Sequence, residues 1–425
     1  MRLLIPTIAA LFVLSGCHKT DPPGDAPTGV TATPGDGLVV MSWDTLPDLT
    51  YWIFFEPGST VSVATPESIA IRRAISPRVV ANLTNGTQYA FAMNATHDDS
   101  AAGPSSVPVV ATPNPAGANW ESGTPLPLGA PPQNLKSIAF NGSTFVAVGD
   151  AATILAGALD YTNIDPPGVL AWTPPVTLPV GFTMPNLTSV INNGTFVALG
   201  TDGSIILSGD GLNWSSAGPQ SSSGPLPTTG MNALAFGFVS GITPTYVAVG
   251  AGGMVFASRD LVNWTQGASG TVNDLNSISV LNGNFTVTGS GGILLTSTNG
   301  SDWTQQATNV TNTLRSAAFN PNLPVHYAAV GDGGTVIVSE DGVNNWRIPT
   351  APPALAQNLL SITVGSATGS RFLAVGQGGA VAYSDDGLSW TTASSGGANL
   401  AKVLYTSGMY LAVGDGGANV VARHP

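Results

Sequence analysis

The chain has 425 residues, room for two or three domains, and a formal net charge of −12. Only 8% of its residues are Asp, Glu, Lys or Arg, while glycine (52) and proline (33) abound, a composition that favours many short strands joined by turns. So few basic residues on an acidic chain exclude nucleic acid, whose phosphates need neutralising, and argue against steering of anionic substrates.

The N-terminus reads as an address. Met1 and Arg2 supply positive charge, and "LLIPTIAALFVL" (3–14) is apolar but shorter than the roughly 20 residues that span a bilayer. "LSGC" (14–17) follows and resembles the lipobox of bacterial lipoproteins. That resemblance implies a signal peptide at 1–16, cleavage before Cys17 and a membrane anchor on its thiol, since acyl chains partition strongly into lipid. An ordinary signal peptide with an incidental cysteine is the alternative. Cys17 is the only cysteine, which excludes disulfides within a monomer, the expected state. His18 stands where an inner-membrane retention signal carries Asp, so the resemblance implies the outer membrane of a bacterial envelope, periplasmic or surface-exposed. Residues 17–25 form a polar linker.

Residues 26–113 alternate at period two between turn signals: "GLVVMSW" (37–43), "LTYWIFF" (49–55), "LTNGTQYAFAMNA" (83–95) and "VPVVATP" (107–113). This pattern predicts a half-buried antiparallel sandwich. It resembles a fibronectin type III domain, with Trp43 as the core Trp and Leu83 to Tyr89 as the tyrosine corner. The resemblance implies a spacer or adhesive module.

From residue 114 onward the chain repeats. A Gly turn recurs as "VGDAAT" (148–153), "LGTDGS" (199–204), "VGAGGM" (249–254), "TGSGGI" (288–293), "VGDGGT" (330–335), "VGQGGA" (375–380) and "VGDGGA" (413–418). A strand-like phrase precedes each, from "LKSIAF" at 135 to "LAKVLY" at 400. Four short strands per repeat predict a seven-bladed β-propeller over 114–425. The last repeat lacks a Trp, whereas Trp120 precedes the first, so residues 118–128 are expected to supply the outer strand of the last blade and close the ring. The fold class is therefore all-β, a sandwich followed by a propeller.

Five repeats carry a Ser-x-Asp-Gly-x-x-Trp phrase: Ser208, Asp210 and Trp214; Ser258, Asp260 and Trp264; Ser297 and Trp303, with Asn299 for Asp; Ser339, Asp341 and Trp346; Ser384, Asp386 and Trp390. Ser and Asp bond backbone N–H groups inside a tight turn, and Trp packs beneath it with a satisfiable N–H. The phrase resembles the Asp box of neuraminidase repeats, which implies a structural role. Residues 158–172 fill its place in the first repeat with a longer loop. Whole repeats are similar to photosystem II assembly-factor propellers. Those carry an arginine patch, whereas here Arg259, Arg315, Arg347, Arg371 and Arg423 fall at different repeat positions.

No metal motif, phosphate loop or nucleophile elbow stands out, and no cofactor is expected. One constellation remains. Asp150, Asp202, Asp332 and Asp415 sit on the Gly turns, and three of these turns belong to adjacent repeats. They form either a rim for a cation or cationic partner, or simply residues that suit a turn. The expectation is a non-catalytic envelope scaffold that binds an unidentified protein or polysaccharide through the face carrying 158–170 and 217–230. The alternatives are a glycan hydrolase or lyase and an assembly factor for a membrane complex.

Overall fold

The computed structural model describes residues 21–422 except 64–68, 98–100, 128–132, 165–166, 184, 218–225, 240–241, 366–370 and 407. Cys17 lies outside the described residues. By contact the chain divides into two compact units. One comprises residues up to 32, 41–78 and 88–111; the other comprises 33–40, 79–87 and 112 onward. Among the described residues every regular element is a strand or a three-residue 3-10 turn, and no helix is long and apolar enough to cross a membrane.

In the N-terminal part, Thr50–Pro57 is paired on one side with Ile69–Ala74 and on the other with Tyr89–Thr96, which in turn pairs with Val109–Ala111. Ile53 faces Met93 and Phe55 faces Phe91 across the ladder. Ile53, Phe91 and Met93 are fully buried, and Trp43 packs on Tyr51 with ring centroids 5.6 Å apart. Thr31–Gly35, Leu38–Ser42 and Arg78–Val80 form a second, three-stranded sheet.

Among its described residues the larger unit holds, from Glu121 onward, seven antiparallel sheets in chain order. Their first strands are Leu135–Phe140, Leu187–Asn192, Met231–Val239, Leu275–Leu281, Leu314–Phe319, Leu359–Val364 and Leu400–Thr406. Each first strand packs beside the next, and the seventh packs beside the first, so the sheets form a closed ring. Glu121–Ser122 pairs with Asn419–Ala422 as the fourth strand of the seventh sheet, Glu121 opposite Val421. A shared sheet at the seam leaves no open strand edge there. The second strands Phe196–Gly200 and Phe372–Gly376 are buried throughout, and Thr144–Gly149 is buried from Phe145 onward, because neighbouring sheets cover both their faces. That explains runs that are apolar without alternation.

The Gly turns exist because backbones meet there. The N–H of Asp415 donates to the carbonyl of Asn399, just before the first strand of its own sheet, at 2.9 Å. A Cβ on the preceding Gly414 would lie 1.8 Å from that same oxygen. The equivalent carbonyls of Asn134, Thr313 and Asn358 crowd Gly149, Gly331 and Gly376 in the same way.

Residues 158–164 and 167–172, expected within a loop, instead extend two paired strands. These are Ile154–Ile164 and Pro167–Thr173, a hairpin with Gly157 opposite Trp172. Alternation of antiparallel strands also separates the two segments assigned to one face. The Gly turns join second to third strands, so they mark one end of every sheet. The hairpin joins a third to a fourth strand and turns at the opposite end. The 217–230 segment leaves a fourth strand, Ser215–Ser216, and enters a first strand at Met231, so it starts and finishes at the Gly-turn end.

Candidate functional site

In all seven sheets the second residue of the first strand is a bulge, skipped by the ladder. A bulge re-aims its side chain. Lys136, Thr188, Asn232, Asn276, Arg315, Leu360 and Ala401 occupy these places, and all seven line one cavity of about 360 Å³ at the axis of the ring. Every repeat thus contributes to the axial lining a residue that the sheet ladder skips.

Several lining side chains also lace the ring. Thr188 Oγ1 donates to the Met231 carbonyl at 3.3 Å, Asn232 Nδ2 to that of Leu275 at 2.9 Å and Asn276 Nδ2 to that of Leu314 at 3.3 Å. Each bond joins one sheet to the next. One residue further on, the hydroxyls of Ser137, Ser189 and Ser361 accept the N–H groups of Val190, Leu234 and Val403 in the following sheet.

The four turn aspartates have local partners. Arg315 grips Asp332 with two bonds of 2.8 and 2.9 Å. Asp150 accepts from Asn134 Nδ2 at 2.9 Å and lies 3.7 Å from the Lys136 ammonium. Asp415 accepts from Asn399 Nδ2 at 2.9 Å. Asp202 accepts from the Ser204 N–H at 3.0 Å and from Thr183 Oγ1 at 3.5 Å. Among the described residues no three His, Cys, Asp or Glu side chains converge to hold a metal ion. The cationic side chains of the axis, absent from the expectation of an acidic rim, neutralise Asp150 and Asp332.

The Asn residues that precede the first strands went unnoticed in the sequence. Asn134, Asn186, Asn358 and Asn399 each accept an N–H from the Gly turn of the sheet before: Gly416, Ala151, Gly333 and Gly378, at 2.8–2.9 Å. The signal was an Asn before the recurrent Leu of "NLKS", "NLTS", "NLLS" and "NLAK".

The Asp boxes are built alike. In the first, Gly211 N–H donates to Ser208 Oγ at 2.8 Å, and the N–H groups of Leu212 and Asn213 donate to Asp210 Oδ1 at 2.9 and 2.8 Å. Asn213 backbone and side-chain donors, then Leu212, hold the Asp210 carboxyl well below the usual range. Asn263 and Val262 do the same for Asp260, and Asn344 and Val343 lower Asp341 to about 2. Burial pushes Asp386 up, but the N–H groups of Ser389 and Leu388 outweigh it. Asn299 Oδ1 accepts the N–H groups of Ser301 and Asp302, both at 2.9 Å, without a charge. The indole N–H groups of Trp214, Trp264 and Trp390 donate to the carbonyl three residues back. Those of Trp303 and Trp346 find no partner among the described residues, contrary to the expectation for the phrase. In the Trp346 box an extra residue, Asn345, takes φ of 54°.

No protein-family model matches the sequence, and no curated protein does. Solved structures do resemble it. The structure titled YCF48 bound to D1 peptide is 16% identical with a TM-score of 0.52, spanning 72% of this chain and 97% of its own. YCF48 from Cyanidioschyzon merolae is 19% identical with a TM-score of 0.51, over 73% and 99%. A catalytically inactive virginiamycin B lyase from Staphylococcus aureus, with quinupristin, is 9% identical with a TM-score of 0.53, over 72% and 99%. At such identities the likeness establishes fold alone, and the class it defines is the β-propeller.

Proposed function

We propose that this protein is a lipid-anchored, non-catalytic interaction scaffold of the bacterial cell envelope. A fibronectin type III module at 26–113 holds a seven-bladed propeller away from the membrane in which Cys17 is anchored. The propeller binds a protein partner through the end opposite the Gly turns.

One observation carries the choice of that end. Two hairpins there outgrow their equivalents. In the first sheet the third strand, Ile154–Ile164, has 11 residues, against 4 for Ile205–Ser208 in the second. In the third sheet Met231–Val239 and Thr243–Gly250 have 9 and 8 residues, against 6 for Leu135–Phe140 and Thr144–Gly149. The longer hairpin of the third sheet carries Phe238 and Ile242, exposed by 51% and 81%. Phe238 stacks edge-on against Phe236, which rests on Tyr246. Exposed aromatic and aliphatic groups on a rigid base suit a protein interface. A propeller of similar fold bound to a peptide lends support to this reading.

The test is capture of an envelope protein by the purified full chain, followed by mass spectrometry. Phe238→Ser with Ile242→Ser removes the captured protein, and Asp202→Ala at the Gly-turn end leaves it bound. Retention by the double variant rejects this end of the ring. Cys17→Ser moves the protein from the membrane to the soluble fraction; continued sedimentation with membranes rejects the anchor.

A further inference from the structure

Three cations line the axial cavity: Lys136, Arg315 and Lys402. Lys136 and Arg315 have Asp150 and Asp332 beside them. Lys402 has, among the described residues, neither a hydrogen bond nor a carboxylate partner. It occupies the place that Ser137, Ser189 and Ser361 hold in other sheets, where each hydroxyl accepts an N–H from the next sheet. At the seam between the seventh and first sheets an ammonium replaces that hydroxyl. Among the described residues no Asp or Glu lines the cavity, and of its three lining cations Lys402 alone has no carboxylate beside it. Lys402 is half-buried, and a charge partly withdrawn from water without a counter-charge favours an anion that pairs with it.

We infer that the axial cavity binds an organic monoanion, a short-chain carboxylate whose oxygens pair with Lys402. The volume of about 360 Å³ far exceeds that of a halide. Ser277 and Ser279 line the same cavity and offer hydroxyl donors to a second oxygen, while Ile191 and Phe236 line it as apolar wall. A phosphate, largely dianionic at neutral pH, carries more charge than the single open ammonium balances. Burial lowers the pKa of Lys402 in the unliganded protein. A bound carboxylate raises it again, because an opposite charge favours the ionised form. The inference is independent of which macromolecule the outer hairpins bind.

The experiment is thermal unfolding of the full chain in n-butyrate, chloride or inorganic phosphate at equal ionic strength and neutral pH. A ligand of the folded state raises Tm. Butyrate raises it by about 2–4 °C over chloride in the wild type. The difference disappears in Lys402→Met and persists in Lys402→Arg. Should Lys402→Met not fold, the pH titration of the Lys402 ¹³Cε resonance in the wild type decides, since butyrate raises that pKa. A short peptide with a free C-terminus that matches butyrate, when its amidated form does not, identifies a chain end as the source of the carboxylate. Equal Tm in butyrate and chloride, an undiminished difference in Lys402→Met, an unmoved Lys402 pKa or a larger response to phosphate overturns the proposal.

Discussion

The N–H of Gly416 donates to Oδ1 of Asn134 at 2.9 Å, across 282 positions of sequence. This bond ties the turn of the seventh sheet to the start of the first, and the other amide atom, Nδ2, simultaneously holds Asp150. A single side chain therefore fixes the seam and orients the Asp150 carboxylate beside Lys136.

Asn134→Ala removes both bonds. A hydrogen bond to a charged group contributes roughly 1.5–3 kcal/mol and a neutral one about 1 kcal/mol, so a loss of roughly 2.5–4 kcal/mol is expected. Urea unfolding measures it. A midpoint equal to that of the wild type would show that water replaces the amide without penalty.

Acid should weaken the ring through its Asp boxes. Asp210, Asp260, Asp341 and Asp386 are held below their usual pKa by the turn N–H groups around them. A carboxylate with a depressed folded pKa stabilises fully above its unfolded value, about 4, and loses that contribution as pH falls through the folded value. Stability is therefore flat above about pH 5 and declines from about pH 4 toward pH 2. Changing Asp210, Asp260 and Asp341 to Asn copies the Asn299 box and makes the acid limb shallower in urea titrations at successive pH. An identical limb in the triple variant would place the acid sensitivity elsewhere.

Arg371 serves one further junction. Its side chain is only 6% exposed, bonds Asp385 twice at 2.6 Å, donates Nη1 to the carbonyls of Pro115 and Ala116 at 3.1 and 2.8 Å and lies over the Tyr383 ring. Arg371→Lys keeps the charge but not the planar fork. It should cost about 2–4 kcal/mol and expose the stretch near residue 116 to limited proteolysis. A lysine variant as stable and as protease-resistant as the parent would show that charge alone suffices.

One turn departs from its siblings. Ala151 and Ala152 hold φ of 50° and 53° where Gly252 and Gly253 stand in the third sheet. A left-handed alanine costs about 1–2 kcal/mol, offset in part by the greater chain entropy of glycine. Ala151 is exposed, so Ala151→Gly loses no packing. It is expected to raise stability by up to about 1 kcal/mol, read from the urea midpoint.

Periodicity and punctuation carried most of the strand pattern. "LKSIAF" and "LRSAAF" coincide with the first strands Leu135–Phe140 and Leu314–Phe319, because Gly turns and apolar runs are local signals. The hairpin at 158–172 was hidden, since Asp, Asn and Pro mark a turn without showing how far strands extend on either side. The ties from Asn134, Asn186, Asn358 and Asn399 were illegible because each partner lies in another repeat. The axial lining escaped notice for a related reason: Lys136, Arg315 and Lys402 converge only once the repeats curve into a circle. A serine-to-lysine change at 402 reads in sequence as ordinary drift.

The pairing of Glu121 with Val421 also has a consequence for biosynthesis. During translation an early segment must wait, unpartnered, until nearly three hundred later residues have left the ribosome. A product interrupted before Val421 keeps a naked edge at its final sheet, a natural target for quality-control proteases. The chain thus confers durability only on copies made to the last strand.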